Sequence, residues 1–276
     1  MEILNHDLRC VDGRTLHMPP WVEDQSQWGN LELPNLSIAD TVQKYPIGSK
    51  YIEGDRVYRY AKAGGAINRT DLGVKNGLPQ GIAQREVLAA AIGATSVTIT
   101  TVSPDGAAET GTLVKDEFAG GYLLLFTVGG VAPFDKQMRL ITGNAAGAAG
   151  NIVFTFDRGL EIALVAGTSK AEAIASPYKH VVLDSAIHHP VIGVPTVLAT
   201  SGQFLWIQTW GVCWLSCQAG VGVAGNIGLA FRHDGSLSEA LTAVSGTVTN
   251  QYAGYCMAGN IGATQAAPFF MLQILA

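Results

Sequence analysis

From Lys50 onward, apolar and polar residues alternate with the period-two rhythm of half-buried strands. Arg56-Val57-Tyr58-Arg59-Tyr60 interleaves charged with branched and aromatic side chains, and Ser96-Val97-Thr98-Ile99-Thr100 sets Val97 and Ile99 on one face. Tyr122 to Val128 is a continuous apolar run, the pattern of a strand buried on both faces. Further strands are predicted at Gln137 to Thr142, Ile152 to Asp157, Leu160 to Val165, Lys179 to Leu183 and Gly193 to Leu198. Others follow at Gln203 to Trp210, Val212 to Gln218, Gly225 to Phe231 and Phe269 to Leu275. Residues 143–151, rich in Gly, Ala and Asn, read as a hairpin loop.

Helical signals are few. Gln80 to Ile92 reads as a helix with Val87 and Leu88 as its apolar stripe. Short helical turns are predicted at Ser37 to Tyr45, capped by Ser37, at Ser169 to Ala175, and at Ser236 to Ala243, where Ser236 and Glu239 form a capping box. Short strands divided by Gly-marked turns give a mainly β fold class, an antiparallel sandwich or barrel-type domain. Strands and helices do not alternate, which argues against a parallel α/β enzyme.

Residues 1–50 break the rhythm. They carry Pro19, Pro20, Pro34 and Pro46, and set Trp21 and Trp28 among polar neighbours. Prolines at this spacing favour extended backbone, and isolated tryptophans need a surface to cover them. An extended N-terminal arm is expected, laid on a neighbouring subunit or wrapped on its own domain, with the neighbour favoured. Residues 51–276 then form the β-rich domain, either single or split into two β-subdomains near 185–200.

Charged residues make up 14% of the 276-residue chain, against about 25% in an average globular protein. So thin a charge cover implies a large core or uncharged surface reserved for partners. A net charge of −5 and the lack of any Lys/Arg run argue against a nucleic-acid partner. No apolar run approaches the ~18 residues of a membrane span. The opening MEILNHDLRCVDG lacks the basic-then-apolar order of a secretory leader, so the chain is expected to be made and kept in a cytoplasm.

Candidate chemistry changes little. Cys213 and Cys217 lack the two further ligands that a structural zinc site needs; with Cys10 and Cys256 they read as free thiols. His188 and His189 point to opposite sides of an extended segment, so they do not share a metal. No Gly-x-Ser-x-Gly elbow occurs, and the Gly-rich stretch at 143–150 has no Lys-Ser/Thr ending to cradle phosphate. The chain therefore reads as not an enzyme, with no cofactor or metal.

The densest signal is 204–214, Phe-Leu-Trp-Ile-Gln-Thr-Trp-Gly-Val-Cys-Trp. At strict period two, Phe204, Trp206, Gln208 and Trp210 share one face, with Leu205 and Ile207 on the other. Such a face is a carbohydrate-stacking platform or a core and subunit interface, the second being favoured. Trp21, Trp28, Trp206 and Trp210 are accordingly the candidate interface residues.

Several stretches resemble tailed-bacteriophage virion proteins: VYRYAKAGGA (57–66), DEFAGGYLLL (116–125), MRLITGNAAG (138–147), SPYKHVVL (176–183), VIGVPTVLA (191–199) and GQFLWIQTWGVCW (202–214). The resemblance covers roughly residues 55–235. It implies an auxiliary capsid protein, of the cement or decoration kind, on the outer surface of a virion shell made in a host cytoplasm. The implied partners are the major capsid protein and further copies of the chain, a homotrimer being favoured, with no membrane partner. The competing expectation is a glycan- or receptor-binding module of a head or tail fibre.

Overall fold

The computed structural model describes residues 7–9, 13–18, 33–77, 81–107, 109–128, 136–183, 189–218, 220–222, 227–240, 251–257 and 269–274. Every regular element among them is a strand. The chain divides into two compact units: the first runs to Gly77 and resumes at Tyr178, and the second occupies Leu78–Pro177. The stretch around 189–200 lies inside the first unit.

The first unit opens with β1 (Asp7–Arg9), β2 (Thr15–His17), β3 (Lys50–Glu53), β4 (Arg56–Lys62) and β5 (Val74–Asn76). The second unit follows with β6 (Ile82–Glu86), β7 (Ser96–Thr101), β8 (Tyr122–Thr127), β9 (Lys136–Asn144), β10 (Gly150–Phe156) and β11 (Ser169–Ile174). The chain then returns to the first with β12 (Val181–Val182), β13 (Val191–Pro195), β14 (Phe204–Trp214) and β15 (Gly228–Phe231). It ends with β16 (Leu237–Glu239), β17 (Gln251–Cys256) and β18 (Phe269–Gln273).

One antiparallel sheet organises the first unit, in the order β1-β2-β3-β4-β14-β18-β17-β15-β16, with β13, β5 and β12 branching from β14. The long strand β14 is its spine, paired with β4 on one side and β18 on the other. Its first half is covered on both faces. Leu205 and Ile207 pack with Ala61, Ile67, Val74 and Val181, while Phe204 and Trp206 pack with Leu16, Tyr45, Tyr51, Tyr58 and Tyr60. Beyond that, Cys213 and Leu215 join Leu229, Phe231, Phe270 and Leu272 in a third apolar cluster.

The described parts of residues 1–50 lie on this same unit. β2 pairs with β3, the backbones of Asp40 and Phe204 bridge, and Tyr45 sits inside the aromatic cluster. These stretches therefore build the fold in cis. Trp21 and Trp28 lie outside the described residues.

The second unit is a six-stranded antiparallel sheet in the order β6-β11-β8-β9-β10-β7. It curls until its edges meet: Val87 bridges Ile99, and Leu88 N–H donates to Thr98 C=O at 3.0 Å. This contact covers part of the β6 and β7 edges, which when open invite aggregation. Ile82, Val97, Ile99, Leu123, Leu125, Ile141, Phe154 and Ala171 fill the interior.

Several expectations are corrected. Gln80 to Ile92 is not a helix: Ile82 and Val87 are buried five positions apart, Leu88 is exposed, and Gln84 has a left-handed φ of 53°. The segment is instead the strand that closes the barrel, so tertiary pairing overrides its helix propensity. Ser169 to Ala175 contains β11, and Leu237–Glu239 is β16, with Asp234 rather than a capping box accepting the Ser236 N–H. At 37–45 the Asn35 side chain accepts the Ser37 N–H in an Asx turn, and no helix forms. Strand β8 is buried on one face only, because a curled sheet has a single interior. Leu160 to Val165 is irregular, although Leu160 and Leu164 still reach the core.

Candidate interaction surface

The chemistry of β14 depends on one extra residue. Trp206 is opposite Tyr60 and Gln208 opposite Tyr58, but the register then shifts and Trp210 stands opposite Val57. Thr209 is thus the extra residue of a β-bulge. It carries Trp210, Val212 and Trp214 to the side of the sheet away from Trp206. Strict alternation would have kept Trp206 and Trp210 together, so this part of the sequence reading is corrected. The bulge is held by the Gln208 amide, whose Nε2 donates to Trp210 C=O at 3.0 Å and to Val212 C=O at 2.9 Å. Gly211 completes it with φ +96°, where a Cβ would stand 2.5 Å from the Asp55 carbonyl oxygen.

On the Trp206 side the rings form a closed aromatic cluster. Trp206 is 1% exposed, and its centroid lies 5.2 Å from Tyr45, 5.1 Å from Tyr60 and 5.8 Å from Tyr51. Tyr60 Oη donates to Asp40 at 2.8 Å, and Lys44 pairs with the same carboxylate at 2.8 Å. Desolvation, together with the Asp40 carboxylate, pushes the Tyr60 phenol far above its usual range. Trp206 therefore belongs to the core and offers no platform to a sugar.

The opposite side carries a row of exposed apolar side chains. Trp214 pairs with Phe269, Val212 with Met271, and Met271 with Tyr255 across β14, β18 and β17. Met257 N–H bonds Phe269 C=O and extends the row. Trp214 is 49% exposed, Phe269 63%, Met257 53%, Tyr255 40% and Tyr252 51%, with Trp210, Val212, Met271 and Gln273 half-buried between them. No Asp, Glu, Lys, Arg or His falls among these outward positions. Of this row only Trp210 is among the residues expected from the sequence; Trp214, Phe269, Tyr255 and Met257 are not. The exposed aromatic at the end of a buried strand was the available signal, and the bulge hid it.

The barrel has a second apolar face. Tyr122 lies between Ile174 and Leu140, and Leu124 is opposite Met138. Ile174, Tyr122 and Met138 are exposed, and Glu172 and Lys170 on β11 bring charge to its margin.

Several polar groups elsewhere make structural contacts. At the end of β14, Ser216 N–H donates to the Asp71 carbonyl, and the Asp71 carboxylate accepts from Arg69 Nε at 2.8 Å and from Ser216 Oγ. The Arg69 bond is the main cause that lowers the Asp71 pKa to about 2. A folded-state pKa below the ordinary ~3.9 means that this carboxylate stabilises the fold above pH ~4 and ceases to do so as pH falls toward 2. An Asp71→Asn chain should accordingly be less stable than wild type in urea at pH 7, with the difference vanishing near pH 2.

The His180 ring is packed between two glycines: a Cβ at Gly64 would come within 2.2 Å of it, and one at Gly77 within 2.6 Å. Burial lowers its pKa. His189 Nδ1 lies 2.8 Å from Asn76 C=O, and the His233 carbonyl accepts from Lys75 Nζ. His188 lies outside the described residues. Burial pushes the Cys213 thiol up to about 12 and raises Cys217 and Cys256 as well. Among the described residues no three His, Cys, Asp or Glu side chains converge on a metal-sized point. No protein-family model, curated protein or solved structure matches this chain.

Proposed function

We propose that this chain is a structural virion protein, an auxiliary capsid protein of the cement or decoration kind that docks on an assembled shell of major capsid protein and stabilises it. The observation that carries the reading is that each compact unit exposes an apolar sheet face on a strand scaffold, charge-free at the outward positions of β14, β17 and β18 and flanked by Glu172 and Lys170 on the barrel. Monomers rarely expose contiguous apolar patches beyond a few hundred Å², and larger ones mark association surfaces. The barrel face, with charge at its margin, has the apolar centre and polar rim of a non-obligate contact and is the face assigned to the shell. Low charge overall and the stretches resembling phage virion proteins support the same reading.

The glycan- or receptor-binding alternative draws on half-exposed Trp214 beside Phe269 and Tyr255. Sugar sites need several convergent polar groups beside the stacking ring, and here the outward positions of β14, β17 and β18 supply Gln273, the tyrosine hydroxyls and the Trp210 and Trp214 indole N–H groups, with no carboxylate. Protein association is therefore favoured.

The test is co-sedimentation of the purified chain with shells of the cognate major capsid protein that lack it. Saturable binding and a higher shell-disruption temperature are expected. Met138→Lys together with Tyr122→Lys should weaken binding by about tenfold or more, as charge is brought into an apolar contact. Absence of binding, with retention on immobilised glycans, would move the reading to the fibre module.

A further inference from the structure

The aromatic face formed by β14, β18 and β17 differs from the barrel face in having no charge among its outward positions. We infer that its occupant is a second copy of this chain, docked face to face about a two-fold axis. The inference rests on reading the chain as an assembly protein and names the partner at one of its faces.

Three observations carry it. The first is area. Trp214, Phe269, Met257, Tyr255 and Tyr252 are each about half exposed and together offer on the order of 500 Å². The half-buried Trp210, Val212 and Met271 bring the face to roughly 600–700 Å², the lower end of what a standard interface takes from each partner. The second is composition. Trp, Tyr, Phe and Met are the residues enriched at the desolvated centre of interfaces, where binding energy concentrates.

The third is charge. A partner of strong charge would leave its ionic groups buried and unanswered against this face. Another copy, with a net charge of −5, is repelled as a whole but presents the same charge-free patch. A single face meeting itself is an isologous contact, which closes at two copies. The trimer that the resemblance implied would require a second, different contact on each copy.

The face is also pre-organised. The Gln208 amide fixes the bulge below Trp210, and Gly254, at φ +138°, brings β17 so near β18 that a Cβ there would lie 1.7 Å from the Met271 carbonyl oxygen. Little ordering cost remains for the docking step.

Sedimentation velocity of the full chain over a wide concentration range tests this without shells present. A dimer is expected. Phe269→Lys and Met257→Lys should each weaken it by roughly a hundredfold or more, because each would bury an unpaired charge. Both side chains are more than half exposed, so the fold tolerates lysine, and unchanged near-ultraviolet circular dichroism verifies that. Val42→Lys, at an exposed apolar position away from this face, should leave the dimer unchanged. A wild-type chain that stays monomeric or runs as a trimer, or a dimer that survives both face lysines, overturns the inference. Loss of the dimer by Val42→Lys to the same degree overturns it too. Shell co-sedimentation is read separately: a dimer that ignores shells would sink the virion role and leave the self-docking face standing.

Discussion

Trp206→Ala is expected to lower the stability of the first unit by about 3–5 kcal/mol, the range for deleting a fully buried large aromatic. The indole contacts Tyr45, Tyr51 and Tyr60 at centroid separations of 5.1–5.8 Å, so its loss opens a cavity walled by rings that cannot collapse independently. Tyr45 comes from the N-terminal stretch and Tyr60 from β4, so the cavity also unties that stretch from the sheet. Trp206→Phe should cost much less, about 1–2 kcal/mol, because Trp206 Nε1 is buried without a hydrogen-bond partner and phenylalanine has no polar atom to desolvate. The measurement is the shift in urea midpoint at constant m-value. A cost below ~1 kcal/mol for the alanine would mean that the rings are not a continuous core.

The second large effect is expected at Gly254. Its φ of +138° is a region that L side chains rarely adopt, and an added Cβ would meet the Met271 carbonyl oxygen at 1.7 Å, with no flexible side chain to swing aside. Backbone must move, so Gly254→Ala should cost about 3 kcal/mol or more, combining strain with lost pairing between β17 and β18. Gly202→Ala is the control. That glycine has φ +88° but open space around its Cβ position, so its cost should stay near the ~1–2 kcal/mol of the left-handed conformation alone. Equal losses at the two positions would show that close strand approach is not what fixes Gly254. Gly254→Ala should also abolish dimerisation by displacing Tyr255 and Met257.

How much of this was legible depends on whether the signal was local. The alternation at Ser96 to Thr100 gave β7 because that strand has one buried face, whereas β4, buried on both, was legible from the branched and aromatic residues set between its arginines. The aromatic density of 204–214 gave β14, although as two strands, since Gly211 reads as a break until its close fit against Asp55 is seen. Which tryptophan faces solvent was not legible. A bulge inverts every side chain beyond it, and nothing in Gln208-Thr209-Trp210 announces one. The short strands β2, β3 and β5 exist only because neighbours pair with them, so no periodicity of their own could reveal them. The segment 80–92 failed for the converse reason: a helical pattern was spent on closing a barrel.

The barrel interrupts a sheet in the middle of its sequence, and this has a consequence for birth on the ribosome. Asn76 pairs with Val181, so the strands on either side of the insertion are hydrogen-bonded neighbours. The spine β14, which β4 needs as a partner, emerges only after the whole barrel has been synthesised. The barrel holds all its own strands and can fold while β2, β3 and β4 wait. Within it Ile82 pairs with Ala173, so once folded it brings the two ends of its own sequence together. A closure that would otherwise span about a hundred flexible residues then becomes one between adjacent ends, which shrinks its entropy cost. The part of the chain made second is expected to fold first, and in doing so to template the sheet that was begun before it.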